Sequence, residues 1–408
     1  MPEPQVRSSL WDLETLPAAG QNYIIDVVNL ILSEANLLSA SDIHLLPTAA
    51  GLKVRFRIDG VLQLAAILAR ELGPNVIARL KVLANMITYR TDIPQEGRIR
   101  GSEGETEMRV STFPTYFGER AVIRMFGEPG RYQRLDDLGL PDEIRQTLVA
   151  LLNETSGAIL LSGPAGSGKT TTLYTCLREL TIASGGGRSL MTMEDPIEVI
   201  VEDVAQAQIN PAAGFDLATG LRSMMRQDPE VIAVGEIRDL ATAEVAFQAS
   251  LTGHLVLCTF HAGSAAGVIG RLSEMGIEPY VISSGVRAIV CQRLVRRLCE
   301  CARKADDPDQ LLGLEVSRAL VAVGCDACRG TGYRGRLVLA EILVPTHPEI
   351  SHAIRSRADV NQLETIALRT GLVSLFERAC VAVEEGLTDP SEVRRVLGIL
   401  RGPRSQTP

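Results

Sequence analysis

Apolar residues recur along this chain with two different periods, and the change from one to the other divides it. Over residues 23–38, Ile24, Val27, Val28, Ile31, Ala35 and Leu38 return every three or four positions, which predicts an amphipathic helix. Strict alternation follows. Leu52, Val54, Phe56 and Ile58 interleave with Lys53, Arg55 and Arg57, and Asp59-Gly60 is a two-residue hairpin turn before Val61-Leu62. One face of that strand goes to a core and the other is cationic. A second helix is expected over 71–90, then strand signals at Glu107-Met108-Arg109-Val110-Ser111 and over 120–126. Residues 21–127 therefore read as a small α+β domain. Residues 1–20 have no sustained period and read as a flexible arm, 128–130 have linker chemistry, and 401–408 read as a loose tail.

From residue 131 to 400 the pattern changes to short apolar runs separated by helical stretches, the signature of a parallel sheet covered on both faces. From Glu349 onward helical segments dominate, with Asp359 and Ser391 expected as caps. Ala158-Ile159-Leu160-Leu161 is the first run and residues 171–183 continue as helix. Between them lies Gly163-Pro164-Ala165-Gly166-Ser167-Gly168-Lys169-Thr170, which fits G-x-x-x-x-G-K-[ST] at the strand-to-helix turn that a phosphate loop requires. The glycines let backbone N–H groups turn toward an anion, and the helix start points its positive end at the same place. Lys169 would reach the β- and γ-phosphates of ATP, and Thr170, followed by Thr171, would hold Mg²⁺ through its hydroxyl.

Ligands of such sheets bind at the carboxyl ends of the strands. Leu190-Met191-Thr192-Met193 ends in Glu194, Val231-Ile232-Ala233-Val234 ends in Gly235-Glu236, and Leu255-Val256-Leu257-Cys258 is bracketed by His254 and His261. Glu236 would bind Mg²⁺ through water or orient the attacking water. Glu194 would polarise that water, and His254 or His261 would sense the γ-phosphate.

Composition narrows the alternatives. The chain has 408 residues, a formal charge of −8 and no apolar run of the ~18 residues that span a bilayer, so a cytoplasmic protein is expected. The acidic balance argues against a nucleic-acid track. Of eight cysteines, Cys176, Cys258, Cys291 and Cys380 lie among apolar neighbours and read as core filling. Cys299-Glu300-Cys301 and Cys325-Asp326-Ala327-Cys328 form two pairs suited to a four-thiolate zinc site.

Several stretches together carry a family likeness: Ala40-Ser41-Asp42-Ile43-His44, Arg55-Phe56-Arg57-Ile58-Asp59-Gly60, Pro94-Gln95-Glu96-Gly97-Arg98, the phosphate loop, Glu194-Asp195-Pro196, Arg226-Gln227-Asp228-Pro229, Gly235-Glu236-Ile237-Arg238-Asp239 and Leu251-Thr252-Gly253-His254. Over 21–400 the chain resembles the type II secretion and type IV pilus assembly ATPases. The resemblance implies a RecA-like P-loop ATPase domain behind a PAS-like domain, with a Cys-rich zinc-type insertion. It implies a homohexamer on the cytoplasmic face of the inner membrane, working with platform and docking proteins. It also implies that Arg98, Arg109, Arg222 and Arg226 complete the nucleotide site. The cysteine pairs resemble those of assembly-type members, although the first pair has one intervening residue where two are usual. The arm of 1–20 is too short for the additional amino-terminal docking domain common in that group. A RecA-type nucleic-acid motor and a nucleotide-gated scaffold with little turnover are the alternatives.

Overall fold

The computed structural model describes residues 22–99, 108–125 and 132–398. The arm of 1–20, the linker of 128–130 and the tail of 401–408 lie outside the described residues. The chain divides into two compact units, Met1–Arg131 and Tyr132–Pro408.

The first unit runs α1 (Tyr23–Leu37), β1 (Asp42–Thr48), β2 (Gly51–Ile58), β3 (Val61–Leu68), α2 (Gly73–Leu83), β4 (Gln95–Ile99), β5 (Met108–Thr115) and β6 (Gly118–Met125). Its six strands form one antiparallel sheet in the order β3-β2-β1-β6-β5-β4. Val54 and Phe56 are buried against Val27, Ile31, Ile77 and Leu80 of the helices, while Lys53, Arg55 and Arg57 occupy the other face. Asp59 and Gly60 both adopt positive φ, as the two-residue hairpin requires. The helix expected over 71–90 is shorter. Pro74 enters its first turn, and at the other end Asn85 turns left-handed while Met86 N–H returns to Lys81 O (2.8 Å), a Schellman-type stop.

The second unit runs α3 (Asp142–Leu152), β7 (Gly157–Ser162), α4 (Lys169–Ser184), β8 (Leu190–Glu194), β9 (Val204–Gln208), α5 (Leu217–Met224), β10 (Val231–Val234), α6 (Leu240–Leu251), β11 (Leu255–Phe260), α7 (Ala265–Glu274), α8 (Pro279–Gly285), β12 (Val286–Leu298), β13 (Arg303–Lys304), β14 (Leu320–Val321) and β15 (Tyr333–Leu343). Four helices close it: α9 (Pro348–Arg355), α10 (Val360–Arg369), α11 (Leu375–Glu384) and α12 (Pro390–Leu397). Seven strands make one sheet in the order β15-β12-β7-β11-β10-β8-β9, parallel except for β15. Alternate residues divide between its faces, as a pleated sheet demands. Ala158 and Leu160 pack with α6 and α7, and Ile159 and Leu161 with α3 and α4.

Three features depart from the sequence pattern. β9 (V-A-Q-A-Q) has no apolar run, and its place comes from pairing with β8. β12 is buried from Ala288 to Gln292 and again at Val295, although it also carries Arg293, Arg296 and Arg297. At α12, Asp389 is the cap and accepts Glu392 N–H (2.8 Å); Ser391, expected in that role, instead donates to Asp389 Oδ1 (3.0 Å). Asp359 caps α10 as expected.

Candidate active site and cysteine cluster

The phosphate loop leaves the centre of the sheet, since β7 lies between β11 and β12. Gly163, Gly166 and Gly168 all have positive φ. Gly163 is also the tightest point, because a Cβ there would stand 2.5 Å from both Gln292 O and Ser167 Oγ. Lys169 opens α4 and folds back so that Nζ donates to Gly163 O (2.7 Å) and Pro164 O (2.9 Å). Burial pushes its ammonium below the ordinary value, opposed by the Glu236 carboxylate. Ser167 Oγ is buried with no hydrogen-bond partner among the described residues. A glycine cradle, a helix amino terminus, an orphaned hydroxyl and a cation with a third N–H to give suit a polyphosphate ligand. Thr170 and Thr171, half-buried in the first turn of α4, follow directly.

Beside the loop, the turns after β10 and β11 meet. Glu236 Oε1 lies 3.0 Å from His261 Nε2, and its Oε2 accepts Arg238 Nε (2.6 Å) and Nη2 (2.5 Å). Thr259 Oγ1 donates to Gly235 O (2.5 Å) and Ile237 N–H to Thr259 O (3.0 Å), so the two turns are stitched together. Arg293, on β12, crosses to Gly263 O (2.8 Å) and opposes the charge on Lys169. Sequence pattern alone does not single out Arg238 or Arg293 as site residues. The signal for Arg238 was its place two residues after Glu236 in a motif already noted.

Glu194 ends β8 on the α4 side of the sheet and is 5% exposed. Thr192 Oγ1 (2.5 Å) and Gln206 Nε2 (3.0 Å) donate to Oε1, and the Tyr174 hydroxyl donates to Oε2. His254, expected beside His261, does not join this group. It precedes β11, where His254 O receives Gly157 N–H at the start of β7, and its Nδ1 contacts Ala249 O (3.0 Å). The loop and His261 follow the opposite ends of β7 and β11, about 20 Å away along a six-residue strand. His254 therefore closes the end of α6 and does not reach a γ-phosphate.

The arginines are dispersed. Arg222 is exposed on α5, and Arg226 donates to Arg222 O (2.9 Å) and Ser223 Oγ (3.2 Å). Arg98 and Arg109 belong to the first unit, where they face each other across β4 and β5, and Arg109 pairs with Glu96 (2.5 Å).

The cysteine pairs sit on the connection from β12 to β15, whose two ends are joined by Cys299 N–H to Gly332 O (2.9 Å). All four Sγ atoms lie within 4.8 Å of one another. The Cys299–Cys325, Cys301–Cys328 and Cys325–Cys328 sulfurs are 3.8, 3.8 and 3.7 Å apart. A tetrahedron with Zn–S bonds of ~2.3 Å has edges of ~3.8 Å, so the single intervening residue at Cys299-Glu300-Cys301 does not prevent a metal-sized arrangement. Burial would raise the Cys328 thiol, but the N–H groups of Cys325 and Gly332 donating to its sulfur (3.1 and 3.2 Å), together with the Cys325 and Cys301 thiols, outweigh it and bring it to about 6.

The module is anchored to α12. Glu392, whose side chain is 0% exposed, accepts Arg296 N–H (2.9 Å) and Nη2 (2.7 Å) and Arg395 Nε (2.6 Å), and the Arg296 guanidinium stacks over the Tyr333 ring at 3.7 Å.

Comparison with known proteins agrees with this geometry. The family described as "Type II/IV secretion system protein" matches residues 17–395. The chain is 41% identical over 382 residues to the "Putative type II secretion system protein E" of Escherichia coli (strain K12), covering 91% of this chain and 76% of that one. It is 37% identical over 392 residues to the "Type IV pilus assembly ATPase PilB" of Thermus thermophilus, covering 93% of this chain and 43% of that longer protein. Among solved structures, the Legionella pneumophila ATPase DotB superimposes with a TM-score of 0.68 at 22% identity, covering 93% of this chain and 97% of that one. The pilus retraction motor PilT with bound ADP gives 0.54 at 26% identity, covering 90% and 99%. With the family matched over nearly its whole length, this chain belongs to the type II/IV secretion system proteins.

Proposed function

We propose that the chain is an ATP-hydrolysing motor that powers type II protein secretion or type IV pilus assembly, as six copies in a ring at the cytoplasmic face of the inner membrane. The observation that carries this reading is the meeting of Lys169, Glu236, His261 and Arg238 at one end of the sheet, in a chain whose relatives are named as secretion and pilus ATPases. In this reading residues 163–171 clasp the phosphates, Lys169 leaves its loop carbonyls for the β- and γ-phosphates, and Glu236 orients the attacking water or a metal-bound one. Mg²⁺, when bound at Thr170, would neutralise phosphate charge. His261 and Arg238 hold Glu236 and exchange it for the terminal phosphate. Arginines from the first unit and from α5, Arg98, Arg109, Arg222 and Arg226, are proposed to complete the site when neighbouring copies assemble. The first unit is read as PAS-like, and the four cysteines as a zinc site in which the metal is a structural fastener. No helix among the described residues is long and apolar enough to cross a membrane.

The test is steady-state ATP turnover with nucleotide binding measured separately. Lys169→Ala should abolish binding, whereas Glu236→Gln should retain ATP and lose at least about 100-fold in turnover. Parental hydrolysis in both variants would refute the site.

A further inference from the structure

The surroundings of Glu194 allow a more specific statement. A carboxylate offers about four acceptor positions. Two on Oε1 are taken by Thr192 and Gln206, and one on Oε2 by Tyr174. A single position is left, on the oxygen that the tyrosine holds. Tyr174 in turn has no choice of direction: its oxygen accepts the N–H groups of Glu198 (3.1 Å) and Val199 (3.4 Å), so its one proton goes to Glu194. The ring is 3% exposed, which prevents it from swinging aside. Tyr174 stands five residues into α4 after Lys169, about 7.5 Å along the axis, on the helix that carries the phosphate loop.

We propose that Tyr174 is a positioning residue for ATP hydrolysis, fixing the direction of the last open acceptor position of Glu194 and so the place of the water that Glu194 polarises. The inference rests on the reading of Glu194 as that polarising carboxylate. It gives the loop a short path to the water: a displacement of α4 on nucleotide binding moves the Glu194 oxygen through one hydrogen bond.

The experiment uses the full chain and measures kcat and KM for ATP together with the thermal midpoint. Tyr174→Phe should lower kcat about tenfold and leave KM within about twofold, because it removes one hydrogen bond to a charged group without touching the phosphate cradle. In a Glu194→Gln background the same change should alter the residual kcat by less than about twofold, since the two residues then act as a unit. A purely structural tyrosine would lower the midpoint and act equally in both backgrounds, and that outcome overturns the proposal, as does a parental kcat for Tyr174→Phe. Should Tyr174→Phe unfold, 3-fluorotyrosine at position 174 keeps the shape with a more acidic hydroxyl. A change in kcat beyond about twofold at constant KM then supports the inference, and no change overturns it. If Glu194→Gln turns over like the parent, the underlying reading falls and the inference with it. If Glu194→Gln is inactive while Tyr174→Phe is parental, the inference alone falls.

Discussion

The Glu392 cluster offers the sharpest energetic test. Glu392 is on α12 and fully buried, and its two oxygens hold Arg296 of β12 and Arg395 of its own helix. Burial alone would raise its carboxyl; the Arg395 and Arg296 donors overcome that and bring it from an ordinary 4.5 down to about 2. A depression of ~2.5 pH units corresponds to ~3.4 kcal/mol of linkage at neutral pH, and screening through the partly exposed Arg395 reduces this to about 2–3 kcal/mol. Glu392→Gln keeps the shape and removes the charge. The apparent melting temperature of the second unit should then fall by about 5–8 °C at pH 7, at a few degrees per kcal/mol for a domain of this size. The pH dependence has a definite sign. A depressed folded-state value means that the contribution is complete above the unfolded value near 4.5 and is lost as pH falls through about 2. The gap between parent and variant should shrink to about 60% of its neutral value at pH 3.5 and nearly close at pH 2. Melting curves of the two proteins across that range measure it. A variant that melts with the parent at pH 7, or a gap that stays constant down to pH 2, would show that the ion cluster contributes little and that apolar packing holds α12.

Two further predictions concern metal and imidazole. The purified chain should carry about one zinc per copy. Stripping it with a chelator, or Cys301→Ser, should open residues 299–332 to proteolysis while the phosphate loop still binds nucleotide; metal-free protein with the parental digestion pattern would count against a bound ion. His261→Ala should reduce ATP turnover by about tenfold or more, whereas His254→Ala should leave it unchanged, because only His261 reaches Glu236. Equal losses would mean that the strand ends have been assigned to the wrong side.

The parts legible from sequence are those whose information is local. The alternation of 52–58 with its Asp59-Gly60 turn, the glycine spacing of the phosphate loop and the Asp359 cap each depend on residues a few positions apart. Where local signals misled, a distant partner was responsible. The apolar pattern of 71–90 runs past the point where Asn85 turns the chain left-handed, and β9 has no apolar pattern because its strand character comes from β8. His254 and His261 look equivalent along the chain, yet the direction of β11 sends them to opposite ends of the sheet.

By itself, then, the sequence determined that a polyphosphate-binding turn joins a buried strand to a helix, that acids follow the neighbouring strands, and that two cysteine pairs stand ready for a metal. Periodicity and glycine placement act within a few residues and need no fold to be read. Only the tertiary structure decided which of those groups meet: Glu236 with His261 and Arg238, Glu194 with Tyr174, and Cys299 with Cys325, 26 positions further along the chain. Hydrogen bonds and sulfur contacts reach only a few ångströms, so they depend on strand order and direction, which no local stretch encodes.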